Sequence, residues 1–388
     1  MSSQPLSRRL FLKTGVTLLA LGPLVACAPA APTPAPTRPA ETPKPAATPT
    51  PTPAPTTPTV APTPTLTVAP KSLAGQELVL YSARKEDLMA PLLQAFQSQT
   101  GIRVILKSGA PGELALLIEQ ERQNPQGDVY FTTDAGTAET LREKGLLEPY
   151  QAPGARAIPD EFKAPDGSWV GVIGRVRTII YNTNLVTEAE TPRSVFELTD
   201  PKWKGKVALA AIREGGVRLW LASLMVLKGE EFTTRYIKDL LANGARVLAD
   251  HTQVRKAVGR GEFALGLVNH YYYVFEKREG SPVGLIYPDQ GPNDVGALVM
   301  PLAVAIIKGA RHPEAARAFI DFTLSPAGQK PLMEQENEIS LIPGVSLPNK
   351  VPGVKELGEF KRSPVTVADL AKVLPKVVQV FTPLLSSA

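Results

Sequence analysis

The chain has 388 residues, a formal net charge of +5, a single cysteine and only 6% aromatic residues. Arg8, Arg9 and Lys13 supply three of the five positive charges, so the chain beyond residue 26 carries about +2. No block of lysines and arginines follows, which gives nucleic-acid binding little support. A lone cysteine also excludes intrachain disulfides, zinc sites built from several cysteines and paired-thiol redox chemistry.

The N-terminus predicts export. Ser7-Arg8-Arg9-Leu10-Phe11 matches the twin-arginine pattern, and the apolar stretch that follows is shorter than the roughly 20 residues of a membrane span. Leu24-Val25-Ala26-Cys27 resembles a lipobox, so we expect a signal peptide over residues 1–26 and a lipid on Cys27. Residues 27–70 are rich in Pro and Thr and predict an extended linker. The body is therefore expected outside the cytoplasm, on a lipid anchor.

The first half of the body alternates predicted strands with predicted helices. Strands are expected at residues 77–81, 102–106 and 128–131, and helices at 86–99, 113–122 and 134–144. This order predicts a parallel sheet, in which ligands bind at the carboxyl ends of the strands. Polar residues follow the strands there, although Ser, Thr and Asp are also common before helices for capping reasons. They include Arg84, Lys85, Thr133 and Asp134.

The second half repeats this style. It predicts strands at residues 177–181, 245–248 and 263–268, with helices at 217–227, 231–241 and 251–258. An apolar run at residues 295–307 is long enough to pass from one lobe to the other, and helices are expected at 313–323 and 326–334. We therefore predict an α/β fold with two lobes.

Tyr271-Tyr272-Tyr273 is the most informative motif, because three adjacent tyrosines are unexpected at this aromatic content. In a strand, Tyr271 and Tyr272 would point to opposite faces, so sharing one ligand requires a turn or the first turn of a helix. Phenolate is a hard oxygen ligand that suits ferric iron. The same run is also compatible with core packing, and Tyr273 is expected to pack.

Catalytic motifs are missing from the sequence: it has no G-x-S-x-G, P-loop, H-E-x-x-H or complete dinucleotide-binding fingerprint. Three histidines leave few general bases, so an enzyme is disfavoured. His270, directly before the tyrosines, is a candidate for the metal shell. A ferric site would also need a small anion, and arginine matches such oxygens. The arginine candidates are Arg84, Arg175, Arg177 and Arg213.

The body resembles the ferric-iron-binding receptors of bacterial ABC iron importers, which are two-lobed solute-binding proteins. The resemblance runs from Glu77 to about Leu341. Its segments are Leu80-Tyr81-Ser82-Ala83-Arg84, Thr100-Gly101-Ile102, Thr133-Asp134-Ala135-Gly136, Gly174-Arg175-Val176-Arg177, Asp200-Pro201-Lys202-Trp203 and Gly266-Leu267-Val268-Asn269-His270-Tyr271-Tyr272.

The resemblance implies a class II periplasmic-binding-protein fold whose lobes are joined by two crossing strands. One lobe would hold residues 71–176 and 302–352, and the other residues 177–301 and 353–388. Tyr271 and Tyr272 match the paired iron ligands of the family, and Asn269 matches a position that helps to hold the anion. A monomer that passes Fe(III) to an ABC permease is implied, with carbonate, bicarbonate or another small anion bound beside the metal.

Several family ligands are not present at their usual positions. Lys85 stands where some members have a histidine, Thr133 where some have a glutamate, and Gly216 where others have a third tyrosine. The additional candidates for the metal shell are Asp134, Thr133 and Lys85. The candidates for binding the anion are Arg84, Arg175 and Arg213. Two alternatives stay open: a receptor for an organic or phosphonate-type anion held by arginines, and a tethered enzyme or sensor on the same scaffold.

Overall fold

A computed structural model describes residues 73–386, so the export signal, Cys27 and the linker lie outside the described residues. The first part of the body alternates strands and helices. Its elements are β1 (Glu77–Ser82), α1 (Glu86–Thr100), β2 (Arg103–Ser108), α2 (Pro111–Gln120), β3 (Val129–Thr132), α3 (Ala135–Glu143) and β4 (Leu147–Glu148). Because β1 pairs in parallel with both β2 and β3, the predicted parallel sheet is confirmed.

Helix α1 shows why these segments fold as they do. Its buried residues Met89, Leu92, Leu93 and Phe96 follow the three-to-four residue spacing that places side chains on one helix face. The helix ends at Gly101, whose φ of 71° is the left-handed conformation that glycine adopts without strain. The apolar face packs in the hydrophobic core that also contains Leu78 and Leu80 of β1 and Phe131 of β3.

The long strand β5 (Val170–Asn182) belongs to two sheets. Up to Val176 it pairs antiparallel with β10 (Val299–Ile307), in the sheet that also contains β1, β2 and β3. From Arg177 onward it pairs with β8 (Leu265–Asn269) and β9 (Val283–Ile286) in the second sheet. The chain therefore crosses between the sheets at Val176 and Arg177.

The second sheet is built around β6 (Val207–Ala210), which pairs in parallel with β7 (Arg246–Leu248) and with β8. Helices cover this sheet. They are α4 (Gly215–Lys228), α5 (Glu230–Ala242), α6 (His251–Gly259) and α7 (His270–Arg278). Two sheets with flanking helices, joined by β5, form the two-lobed α/β fold that the sequence predicts.

The last part of the described chain first adds a strand to the first sheet and then forms a helix that also contacts the second part of the fold. Helices α8 (Pro313–Thr323) and α9 (Pro326–Glu334) precede the short strand β11 (Ile339–Ser340), which pairs with β5. Helix α10 (Val367–Leu385) packs against both α3 and α4. It was not predicted from the sequence. Within residues 73–386, no helix is long and apolar enough to span a bilayer.

Candidate functional site

The paired tyrosines lie where β8 ends and α7 begins. Asn269 is the last residue of the buried strand, and His270 is the first residue of the helix. The rings of Tyr271 and Tyr272 therefore lie side by side, with centroids 4.3 Å apart and planes 32° apart. This is the strand-to-helix turn that shared use of the two hydroxyls requires.

Both phenols are held in their neutral form by their surroundings. Burial raises the pKa of Tyr271 well above its ordinary value, and burial also raises the pKa of Tyr272. The contact between the two side chains raises the pKa of Tyr271 further and lowers that of Tyr272. A nearby cation is needed to ionise the pair at neutral pH.

Tyr273 has a different environment. Its ring is 4% exposed in the hydrophobic core, and its hydroxyl donates a 2.7 Å hydrogen bond to the Pro352 carbonyl. The prediction that Tyr273 is a packing residue is confirmed.

Both ring nitrogens of His270 already have partners. Nδ1 accepts a 3.0 Å hydrogen bond from the Val176 N–H, and Nε2 lies 2.8 Å from the Asn337 carbonyl oxygen, to which it donates. Burial lowers the pKa of His270 to about 4. The neutral imidazole, hydrogen-bonded at both ring nitrogens, is placed to hold the start of α7 in position.

Two of the predicted arginines share one buried carboxylate, Glu338. Arg84 pairs with Glu338 and donates to the Leu332 carbonyl, while Arg175 Nε lies 2.6 Å from the Glu338 Oε1 atom. The guanidinium carbon of Arg175 also lies 5.1 Å from the ring centroid of Tyr271. Arg175 therefore places positive charge beside the tyrosine pair, whereas Arg84 supports Glu338.

A group of buried polar atoms next to Tyr272 has no hydrogen-bond partner among the described residues. It comprises Nε and Nη2 of Arg177, Nδ1 of His251 and Oδ1 of Asn269. Arg177 Nη1 lies 3.4 Å from His251 Nε2, and the His251 ring centroid is 5.3 Å from that of Tyr272. Burial lowers the pKa of Arg177 to about 9. Unpaired buried polar groups are rare in folded proteins, so this cluster is a candidate site for a small polar ligand.

Gly216 borders the same group of atoms. A Cβ atom placed there would lie 3.1 Å from Asn269 Oδ1 and 3.3 Å from His251 Nε2. The lack of a side chain at Gly216 keeps this space open at the start of α4.

The remaining predicted residues lie farther from the tyrosines or are engaged otherwise. Asp134 caps α3, since its Oδ1 accepts a 3.0 Å hydrogen bond from the Gly136 N–H, and burial raises its pKa while Arg218 lowers it. Thr133 is half-buried beside it, and Lys85 and Arg213 are exposed. The structure brings together Tyr271, Tyr272, Asn269, His270 and Arg175.

Sequence reasoning missed three side chains near the tyrosines: His251, Glu214 and Glu336. Glu214 precedes α4, and its Oε2 atom lies 4.0 Å from His251 Nε2. Glu336 Oε2 lies 3.3 Å from Arg175 Nη2. The alternating acids Glu334, Glu336 and Glu338 were the available signal for this segment. Within the described chain, no group of three or more His, Cys, Asp or Glu side chains could hold a metal.

The two sheets joined by β5, with the tyrosine pair at the start of α7, define a two-lobed solute-binding protein. A family model described as bacterial extracellular solute-binding protein matches residues 92–362, and the chain belongs to this family. Among curated relatives, iron uptake protein A1 of Synechocystis is 32% identical over 316 residues, which cover 79% of this chain and 86% of that protein.

Solved structures agree with this assignment. Iron-bound HitA from Pseudomonas aeruginosa matches with a TM-score of 0.69 and 30% identity, covering 78% of this chain and 98% of HitA. The Trichodesmium protein FutA, solved with iron and citrate, matches with a TM-score of 0.70 and 28% identity, covering 79% and 98% of the two chains. The predicted family and fold class are confirmed.

Proposed function

We propose that this protein is the receptor of an ABC iron importer and binds Fe(III) through the tyrosinates of Tyr271 and Tyr272. The observation that carries the proposal is the stacking of the two rings, 4.3 Å apart, at the buried start of α7. Relatives that cover most of the chain are named for iron uptake or were solved with iron bound. The function is transport rather than catalysis.

A bound trivalent cation would supply the positive charge that is needed to deprotonate the two phenols. Burial keeps the two phenols protonated, and a metal ion shifts its ligands towards their deprotonated forms. Fe(III) prefers hard oxygen donors, which phenolates provide. Arg175 lies beside Tyr271 and offsets part of the negative charge that develops on the pair.

A small anion, carbonate or bicarbonate, fits beside the metal at the start of α4. Asn269 and Arg177 present the unpaired buried groups there, and Gly216 leaves the space open. The N-terminus of a helix also favours negative charge. Arg84 and Arg175 could bind the anion only if their ion pairs with Glu338 were broken. Arg213 could bind it only if its exposed side chain turned towards the tyrosine pair.

Export through the twin-arginine signal and lipid attachment at Cys27 would hold the receptor beside its permease. Iron would stabilise the closed form of the two lobes, and the permease would recognise that form. Substituting Cys27→Ser should move the protein from the membrane fraction to the soluble fraction. Continued membrane association of that variant would contradict the anchor. We propose that the receptor acts as a monomer.

Titration of metal-free protein with ferric citrate and bicarbonate tests the iron proposal. A visible tyrosinate-to-iron charge-transfer band is expected, and it should be absent from the variant that combines Tyr271→Phe and Tyr272→Phe. Tyr273→Phe is the matched control and should keep the band. No band in the unaltered protein, or a band that survives in the double variant, would overturn the proposal. Tight binding of an organic or phosphonate-type anion without metal would instead support an anion receptor.

A further inference from the structure

Two carboxylates flank the tyrosine pair from different parts of the fold. We propose that Glu336 and Glu214 are further iron ligands and complete the shell that Tyr271 and Tyr272 begin. This inference rests on the proposed function. It concerns residues of this chain that stand at none of the positions where the resemblance predicted ligands.

Glu336 approaches from the turn between α9 and β11, in the half of the molecule that contains β1, β2 and β3. Its side chain is only 14% exposed, and its Oε2 atom lies 3.3 Å from Arg175 Nη2. Arg175 in turn lies over the Tyr271 ring, so Arg175 links the carboxylate to the phenol. The next residue, Asn337, accepts the hydrogen bond from His270, which precedes Tyr271. This bond fixes the backbone of the Glu336 turn against the start of α7.

Glu214 approaches from the other side, at the start of α4 in the second half. Its side chain makes no capping hydrogen bond to the helix, and its Oε2 atom lies 4.0 Å from Nε2 of His251. The His251 ring packs against Tyr272, with 5.3 Å between the centroids. The order of contacts is therefore Glu336, Arg175, Tyr271, Tyr272, His251 and Glu214.

An independent observation also indicates a ligand in this space. Arg177, His251 and Asn269 have unpartnered polar atoms and are each at least nine-tenths buried. Two phenolates and two carboxylates leave two positions of an octahedral all-oxygen shell, which one bidentate carbonate would fill. Arg177 and Asn269 are placed to hold that anion. Lys85, Thr133 and Gly216 then need not contribute any ligand.

The two halves of the fold would then each supply oxygen ligands. Tyr271, Tyr272 and Glu214 come from the part built on the second sheet, and Glu336 comes from the part built on the first. Iron would therefore connect the halves directly through Glu336. The same ligand would make retention of iron sensitive to any motion of the crossing strand β5.

The test compares Glu336→Gln, Glu214→Gln and their combination with the unaltered protein. Glutamine keeps the shape of the side chain and its capacity to accept a hydrogen bond from Arg175. The control for Glu336→Gln is Glu334→Gln, two residues away in the chain. The control for Glu214→Gln is Glu231→Gln, which changes an exposed glutamate of α5. Thermal unfolding of each metal-free variant verifies that the fold is kept.

Iron retention against rising citrate and the wavelength of the charge-transfer band are both measured. Loss of outer partners of a metal ligand already weakens binding by about 10–100-fold, so each Gln variant should lose at least about tenfold and shift the band. The two controls should match the unaltered protein in both readouts. Variants that fold but keep the affinity and the band of the unaltered protein would overturn the inference, while the iron proposal would stand. A missing band in the unaltered protein would overturn the iron proposal itself.

Glu336→Asp gives a second test that does not depend on Gln. A shorter carboxylate keeps the negative charge, so it should restore part of the affinity that Gln removes if the oxygen binds iron. If Asp and Gln weaken binding equally while the band stays unshifted, Glu336 only positions Arg175, and the inference fails for Glu336.

Discussion

The imidazole of His270 is bonded to the backbone of Val176 at the point where β5 crosses between the two sheets. Nδ1 of His270 accepts the Val176 N–H at 3.0 Å, and Val176 is the last residue of β5 that pairs with β10. The next residue in the chain after His270 is Tyr271. The position of the tyrosine pair is therefore tied directly to the crossing strand, so any motion of the lobes about β5 reaches the proposed iron ligands.

Replacement of His270 by Phe should destabilise the metal-free protein by about 2–6 kcal/mol. The ring is fully buried, and its loss leaves both the Val176 N–H and the Asn337 carbonyl without a partner, at roughly 1–3 kcal/mol each. Urea unfolding measures the free energy, with an unchanged slope showing that the denatured state is unaltered. A change below about 1 kcal/mol would contradict the positioning role of His270.

Two buried arginines, Arg84 and Arg177, should respond in opposite ways to substitution by Met. Arg84 pairs with the buried Glu338, and breaking a buried pair costs about 3–5 kcal/mol. Arg177 makes no salt bridge within the described chain, and two of its nitrogens are unpartnered there, so Arg177→Met removes a desolvated charge.

We therefore expect Arg84→Met to lower the melting temperature of the metal-free protein and Arg177→Met to leave it unchanged or raise it. Arg177→Met should nevertheless weaken binding of iron with bicarbonate, because the proposed anion loses its cation. Thermal unfolding and the charge-transfer titration, made on the same samples, separate the two effects. Equal destabilisation by both substitutions would show that Arg177 is structural.

Much of the fold could be predicted because its elements follow local rules. Helices α8 and α9 begin at Pro313 and Pro326, which fit the first helical turn, and their predicted bounds agree with the structure. Strand β5 was predicted only from residue 177. Residues 170–176 contain glycines and an arginine that blur the strand pattern, and their pairing with the distant β10 is what makes them a strand. Helix α10 was missed because Pro375 and Pro383 lie within it.

The candidate site likewise has features that follow from the local sequence and features that depend on contacts between distant residues. The turn that brings Tyr271 beside Tyr272 follows from the end of the apolar strand and the polar helix after it. Glu336 could not be placed, because its position depends on the return of the chain to β5 about 160 residues after Arg175. The pairing of Arg84 with Glu338 is equally non-local, so the sequence alone left Arg84 as a candidate for the anion.

Gly216→Ala should weaken anion binding with little effect on the fold. The added methyl group would lie 3.1–3.3 Å from atoms of Asn269 and His251, which is closer than ordinary van der Waals contact. Alanine is also a better helix former than glycine, which offsets part of the strain at this first turn of α4. The bicarbonate concentration at half-maximal band formation should rise several-fold. Gly215→Ala, whose added methyl group meets only the end of Arg218, is the control and should behave as the unaltered protein.

Asp289 predicts how stability depends on pH. Burial raises its pKa from 3.8 to about 6, although Ser194 Oγ donates to its carboxylate at 2.5 Å. Between pH 4 and 6 the folded protein therefore binds more protons at this site than the unfolded protein does. The free energy of unfolding must fall as the pH rises through this window, by up to about 3 kcal/mol from Asp289.

Asp289→Asn should remove that fall. Asn carries no titrating proton, can still accept the Ser194 hydrogen bond and tolerates the φ of 61° at this position. The difference in unfolding free energy between the variant and the unaltered protein should therefore grow in favour of the variant from pH 4 to pH 7. Urea unfolding across this range measures it, and the exposed Asp239→Asn serves as the control. Parallel pH profiles for the variant and the unaltered protein would show that Asp289 titrates near its ordinary value and is solvated in the folded state.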